Sequence, residues 1–591
     1  MDHGLIGNCA VSALVSPEGT IDWFCLPRFD GTPVFHSLIG HGPGDPADGA
    51  FSIALEGMTK RAQRYEPNTA VLVTEFESSG GAIRITDFAP RFEMRGRMFR
   101  PQMLIRRVEP LSGWPRIRLS IRPRFDWGKT GPRITSGSNH VRFVGPDQTV
   151  RLTTDAPIDH LLGERVFNVD RPYCFILGPD EGLDRHPADL ALDFQRRTTA
   201  YWQGWSRRLA IPFEWQDAVI RAAITLKLCS YEQTGAVVAA MTTSIPEAAD
   251  SGRNWDYRYC WVRDAFFTVR ALNSLAATRT LENYFRWLMN LVADANGGHI
   301  QPVLGVGLET ALTEWQADSL QGYRGMGPVR VGNQAHEHFQ HDTYGAVILG
   351  AAPAFFDERL FMDAGLEAFQ MLEPLGERAW SLHDQPDAGI WELRTRARIH
   401  TSSSLMCWAA CDRLGKIAAH LGLTDRAAFW SGRAETIKGK ILAEAWSEKR
   451  GAFVESFGGE TLDASVLLIG EVGLIPPSDP RFIATVDALS NTLGRGPFML
   501  RYEEADDFGT PEVGFNVCAF WRVDALARVG RQEEAREIFN ALLEARNPLG
   551  LMSEDSDFQT GAAWGNFPQT YSMVGIINGA MRLSKHWESA L

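Results

Sequence analysis

Two glutamates on separate loop-like stretches carry the chemistry that this sequence suggests. Glu392 stands in Gly389-Ile390-Trp391-Glu392-Leu393-Arg394, after a turn-rich run and ahead of a helical pattern. A carboxyl on a loop beside the indole of Trp391 is placed to be desolvated. Desolvation raises a carboxyl pKa until the group can donate a proton near neutrality. Glu554 stands in Gly550-Leu551-Met552-Ser553-Glu554-Asp555-Ser556-Asp557. Two carboxyls brought together from distant loops can flank a glycosidic bond, one protonating the leaving oxygen and the other activating water.

Such a site also needs groups that grip a sugar. Asn254-Trp255-Asp256-Tyr257-Arg258-Tyr259-Cys260-Trp261-Val262-Arg263-Asp264 joins aromatic rings to an Arg-Asp pair. Rings stack on pyranose C–H faces while Arg263 and Asp264 bond hydroxyls. The same composition also describes a buried aromatic cluster capped by a structural ion pair. In Phe339-Gln340-His341-Asp342, Gln340 and Asp342 are candidate hydroxyl ligands, or His341 and Asp342 form an ion pair at a helix start. Arg501 is a candidate substrate contact inside the acidic run Tyr502-Glu503-Glu504-Ala505-Asp506-Asp507. That run reads as a solvated face or a cation site, although it lacks the spacing of a calcium loop.

The elements that must position these residues change character along the chain. Up to about residue 190, alternating runs recur at 70–76, 82–88, 116–122, 140–144 and 149–153, and Ala13 to Cys25 reads as a hairpin turning at Pro17-Glu18-Gly19. Short strands separated by turn residues predict an antiparallel sandwich over 1–192. A linking helix is expected within 193–214, starting at Asp193. Over 215–591, twelve amphipathic helical patterns start near residues 215, 262, 280, 340, 358, 401, 424, 461, 480, 513, 532 and 568. Long and short loops alternate between them, as a barrel of six helical hairpins requires, with the long loops gathered on one face. Loops longer than about 12–15 residues in a compact domain are usually functional, and the candidate residues lie on or beside them.

The 591 residues exceed one ordinary core, and the net charge of -13 disfavours nucleic acid or an anionic membrane as partner. Eight cysteines are too few for a disulfide scaffold. Cys407 and Cys411 lie one helical turn apart without a second ligand pair, so no metal site is expected. No basic segment followed by an apolar run opens the chain, and no stretch approaches the roughly 20 apolar residues that span a bilayer. A cytoplasmic enzyme acting on a small sugar is the expectation.

Taken together, these motifs resemble glycoside hydrolase family 15, the glucoamylases and their bacterial glucoamylase-like and trehalase-like relatives. The likeness extends to Leu5-Ile6-Gly7-Asn8-Cys9 and Gly19-Thr20-Ile21-Asp22-Trp23. It implies a β-supersandwich followed by an (α/α)6 barrel, and inversion at the anomeric carbon without metal or organic cofactor. It further implies Glu392 as general acid, Glu554 as general base, and Tyr257, Trp261, Arg263, Asp264 and Arg501 as grips on the non-reducing-end glucose. An inverting pair needs carboxyls roughly 6.5–9.5 Å apart. Fungal glucoamylases carry a second glutamate after the acid. Here that position is Leu393, so the leaving-group subsite must be built differently, with Arg394 as the compensating candidate beside Trp391. The leading expectation is an exo-acting hydrolase of maltodextrins or isomalto-oligosaccharides. An α,α-trehalase is the alternative, with a disaccharide phosphorylase or a non-catalytic glycan-binding protein behind it.

Overall fold

The computed structural model describes residues 1–40, 48–361 and 364–590. Strand periodicity folds the N-terminal region into two antiparallel sheets. One runs Gly4–Gly7, Ser12–Val15, Thr20–Leu26, Ala50–Leu55, Arg116–Arg122 and Phe167–Asn168, with Thr32–Phe35 also pairing Thr20–Leu26. The other runs Arg133–Ser136, His140–Val144, Thr149–Thr154, Tyr173–Pro179, Leu104–Gly113, Gly81–Phe88, Leu72–Ser78 and Met58–Tyr65. The expected first hairpin forms with Leu14 opposite Trp23. Gly19 closes its turn at φ +73°, where an added Cβ would also meet the Phe76 ring at 3.0 Å.

In Arg116–Arg122 the residues Ile117, Leu119 and Ile121 point inward while their neighbours face out, the period of two that a half-buried strand imposes. Phe51 and Phe175, one from each sheet, meet edge to face at 6.2 Å in the sandwich core. Arg106 is fully buried. It pairs with Asp87 at 2.8 Å and donates to the carbonyls of Phe51 and Gly19, so one guanidinium fastens both sheets.

The linking helix is Pro187–Ser206. It starts six residues earlier than Asp193 because Pro187, whose fixed φ suits a first helical position, opens it. Among the described residues, six inner helices then close a ring: Val262–Ser274, Asp342–Ala351, Thr401–His420, Leu468–Val472, Asn516–Arg528 and Thr570–Leu583. Six outer helices flank them: Gln216–Leu228, Thr278–Ala295, Leu366–Leu382, Thr424–Glu444, Pro480–Leu493 and Gln532–Glu544. The long loops lead into the N-termini of the inner helices and so collect at one end of the barrel. All eight cysteines are buried and free. No helix of the described residues is long and apolar enough to cross a membrane.

The sandwich reaches the barrel through the segment ahead of the first inner helix. Arg258 is fully buried. It pairs with Asp256 at 2.7 and 2.9 Å, donates to the Gly31 carbonyl at 2.6 Å, and lies 5.0 Å from the Trp127 ring. Trp23 adds a bond from its indole N–H to the Met241 carbonyl at 2.7 Å. Arg258→Met strands the Asp256 charge in the interior, and breaking a buried pair this way costs about 3–5 kcal/mol. Urea denaturation should show a loss of that size, with part of it recovered in the double variant Asp256→Asn/Arg258→Met. A loss under about 1 kcal/mol would mean that the pair does not hold the two domains together.

Candidate active site

The segment that carries Arg258 also builds the site wall. Its extended backbone sends alternate side chains to opposite sides. Asp256 and Arg258 point toward the sandwich, while Trp255 and Tyr257 line the cavity at the barrel mouth. Trp261 ends the segment, its ring 5.3 Å from that of Tyr257. The helix Val262–Ser274 then starts, which puts Arg263 and Asp264 in its first turn. Arg263 donates to Asp342 at 3.2 Å and lies 3.5 Å from Asp264 and 3.7 Å from Glu392. Burial pushes Asp264 up to about 7 against the pull of Arg263, with the charge of Glu392 adding to the rise. Asp264 Oδ2 and Asp342 Oδ1 are buried without a hydrogen-bond partner.

Glu392 sits on the loop between Leu366–Leu382 and Thr401–His420 with φ +61°, a left-handed conformation that costs a non-glycine residue about 1–3 kcal/mol. The loop holds it there. The Leu393 N–H bonds the Ala388 carbonyl at 3.0 Å, and Asp387 accepts from the backbone of His341 and the hydroxyl of Ser403, both at 2.8 Å. The left-handed turn separates Glu392 from its neighbour. Trp391 does not cover the carboxyl as expected: its indole N–H donates to Asp463 at 2.7 Å and its ring packs on Phe515. The ring beside Glu392 is Trp261, whose indole N–H donates to Oε1 at 2.5 Å.

Glu554 is fully buried at the edge of a three-stranded ribbon of Gly514–Phe515, Asp555–Ser556 and Ala563–Trp564. Its N–H bonds the Asn566 carbonyl at 3.2 Å, and its carbonyl accepts from Asn516 at 3.0 Å. Gly565 is required beside it, since a Cβ there would stand 2.6 Å from the Glu554 Cβ and φ is +72°. Burial raises the Glu554 pKa and the nearby Glu247 carboxylate raises it further, while Tyr257 and Arg501 work against the rise. Glu554 Oε1 has no hydrogen-bond partner. Burial pushes the phenol of Tyr257 well up, and the charges of Glu554, Glu247 and Glu392 add to the rise.

Two compartments meet here. Tyr257, Trp391, Glu392 and Arg501 line both. Trp261, Arg263, Asp264, Gln569 and Tyr571 complete the inner one. The outer one adds Glu247, Trp255, His338, Leu393 and Arg394. Arg394 bonds Glu314 at 3.1 Å and stands 4.6 Å from the Trp255 ring. Tyr257, Trp261, Arg263, Asp264, Trp391, Glu392, Leu393, Arg394 and Arg501 thus line a compartment, whereas Gln340, Asp342 and Glu554 line neither, Glu554 lying beside Tyr257.

Three local expectations change. Asp342 heads its helix and pairs with Arg263 rather than His341, whose Nδ1 is 4.0 Å from Asp387. Gln340 turns its amide to the Gly389 carbonyl at 2.5 Å. The acidic run is neither a solvated face nor a cation site, because arginines answer it: Arg450 pairs with Glu503 at 2.8 Å, Arg398 with Glu504 at 2.9 Å and Arg253 with Asp506 at 2.5 Å. Glu247 escaped the sequence reading. It is almost fully buried, accepts the Trp255 indole N–H at 2.9 Å, and takes both terminal nitrogens of Arg501. Nothing in Ile245-Pro246-Glu247-Ala248 signals this, since Arg501 lies 254 residues away and Trp255 reaches back only through the fold of the loop.

Comparison with known proteins agrees with this architecture. Residues 215–581 match the family Glycosyl hydrolases family 15, and residues 2–158 match the family Trehalase-like, N-terminal. A trehalase of Mycolicibacterium smegmatis is 32% identical over 626 aligned positions, covering 100% of this chain and 92% of that protein. A trehalase of Thermoplasma volcanium is 31% identical, covering 99% and 93%. The crystal structure of a bacterial glucoamylase complexed with acarbose superposes with a TM-score of 0.69 at 13% identity, over 98% of this chain and 94% of that one, a likeness of fold. The chain is a glycoside hydrolase and belongs to glycoside hydrolase family 15.

Proposed function

We propose that the chain is an inverting α,α-trehalase, in which Glu392 protonates the bridging oxygen and Glu554 activates water. The observation that carries this reading is the match, over essentially the whole chain, to proteins named trehalase at 30–32% identity. The leading expectation from sequence, a glucoamylase acting on oligosaccharides, has weaker support, because the likeness to the bacterial glucoamylase is one of fold at 13% identity. The shape of the site favours a disaccharide as well. Glu392 stands where two compartments meet, and pairs such as Arg253–Asp506 and Arg394–Glu314 brace the outer one. One ring in each compartment puts the bridging oxygen beside Glu392.

In the proposed reaction, Glu392 gives its proton to the bridging oxygen as the bond from C1 of the inner glucose breaks. A water gives a proton to Glu554 and forms the new C1–O bond from the opposite face. The inner glucose leaves as the β anomer, while the outer glucose keeps its α configuration. Arg263 and Asp264 bond hydroxyls of the inner ring. Glu554 Oε1, buried and unpartnered, is the oxygen available to the attacking water. Arg501, clamped by Glu247, holds its guanidinium between the compartments.

NMR of freshly released sugar should show α- and β-glucose in equal amounts from trehalose before mutarotation, and faster release from trehalose than from maltose or isomaltose. Two α-glucoses would rule out inversion, and a preference for maltose would restore the glucoamylase reading. Glu392→Gln should lower kcat at least about a hundredfold with KM little changed, since only proton donation is removed. Glu247→Gln should shift the acidic limb of kcat/KM to lower pH. Glu554 acts as a base only when ionised, and the Glu247 charge raises its proton affinity. An unmoved limb would mean that Glu247 only positions Arg501.

A further inference from the structure

The barrel axis is hollow on both sides of one aromatic layer. Trp521 and Tyr571, which wall the inner compartment, also wall a cavity of about 250 Å³ on the far side of that layer, rimmed by the partly exposed Arg270, Met581 and Arg582. Their rings stand edge to face at 6.1 Å, and Phe267 packs 5.2 Å from Tyr571. The Tyr571 hydroxyl is buried and makes no hydrogen bond, and the charges of Asp264 in the inner compartment and Glu471 in the cavity behind both act on it.

The rear cavity repeats the chemistry of the compartment in front of it. Arg263 and Arg270 are seven residues apart on one inner helix, so they share a face two turns and about 10 Å apart along the axis. Arg263 pairs with acidic groups in front, and Arg270 pairs behind with the mostly buried Glu471 at 2.6 Å. Asp524, held on one oxygen by Arg582 at 3.0 Å and on the other by Arg528, adds a second carboxylate to a lining that also includes Asn578. Phe267, Phe520, Trp521 and Tyr571 supply the aromatic walls of the cavity, with Val517 and Val574 beside them. Aromatic faces alternating with Arg–carboxylate pairs suit a ring with apolar C–H faces and a rim of hydroxyls. The volume falls below the roughly 300–1,000 Å³ typical of drug-sized ligands, which suits a single sugar ring.

We infer that the rear cavity is a second monosaccharide site, separated from the catalytic compartments by the Trp521–Tyr571 layer. Its ligand is a hexopyranose. The choice of glucose as that hexose rests on the trehalase reading, whereas the existence of the site does not.

Saturation-transfer NMR titrations of the full chain with D-glucose test this. The intact protein should bind glucose at two classes of site. Arg263→Ala, which dismantles the inner compartment, should leave the rear class. Asn578→Phe, which fills the rear cavity, should leave the front class with at least tenfold weaker residual rear binding. Asp524→Asn, nearly isosteric, should weaken the same class if the bulkier variant fails to fold. One class in the intact protein, or titrations unchanged by Asn578→Phe and Asp524→Asn, would overturn the inference. Failure to hydrolyse trehalose with two-class glucose binding intact would instead overturn the trehalase reading alone.

Discussion

The site depends on the buried pair of Asp256 and Arg258. These residues occupy alternate positions of an extended segment whose other positions, Trp255 and Tyr257, face the sugar cavity. Fixing the first pair fixes the second, because a strand-like backbone cannot turn one face without turning the other. Arg258 anchors one side on the Gly31 carbonyl. Asp256 anchors the other, accepting from the Gly332 N–H at 3.3 Å while its own carbonyl accepts from Asn333 at 3.2 Å. The sandwich, the 240–261 loop and the loop ending near 333 thus converge on one ion pair. Among the described residues, none before Ala239 lines either compartment. The sandwich contributes to the site by holding a wall in register.

Glu392 is held by a second set of charges. Its loop continues into Arg394-Thr395-Arg396-Ala397-Arg398, and the loop after Pro480–Leu493 supplies Glu503 to Asp507. Asp507 accepts the Arg394 N–H at 2.6 Å, and Glu504 pairs with both Arg396 and Arg398. Several of these pairs are partly exposed, and single exposed pairs contribute about 0–1 kcal/mol. As a network they fix the relative position of two loops, which a left-handed glutamate at the first of them requires. The net charge of -13 therefore says little about the site, where basic and acidic runs answer each other locally.

Much of this was legible in the sequence, and the exceptions share one cause. The period-2 runs at 116–122 and 140–144 and the helical starts near 262, 401, 424, 480 and 532 were readable because their signal is local. Glu392, Glu554 and the Tyr257–Asp264 segment stood out through neighbours in sequence. The basic run after Arg394 and the acidic run before Asp507 were each visible, but their pairing spans more than a hundred residues. Glu247 shows the same limit: Arg501, which pairs with it, and Glu554, on which its charge acts, are both distant in sequence. The orientation of Trp391 was misjudged because adjacency to Glu392 suggests contact, whereas the positive φ at Glu392 turns the two side chains apart.

The buried acceptors that remain unpaired are the feature a purely structural reading explains least. Asp264 Oδ2, Asp342 Oδ1 and Glu554 Oε1 are all buried without a hydrogen-bond partner. Leaving such a group unsatisfied costs about 1–3 kcal/mol, more when it carries charge. A structural ion pair would have been closed by rotation of Arg263, which instead spreads contacts of 3.2 to 3.7 Å over Asp264, Asp342 and Glu392. Dividing one guanidinium among three carboxylates leaves Asp264 Oδ2 and Asp342 Oδ1 without a donor. Under the proposed reading, the hydroxyls of a sugar and the attacking water would supply donors to these oxygens and so offset part of that cost on binding.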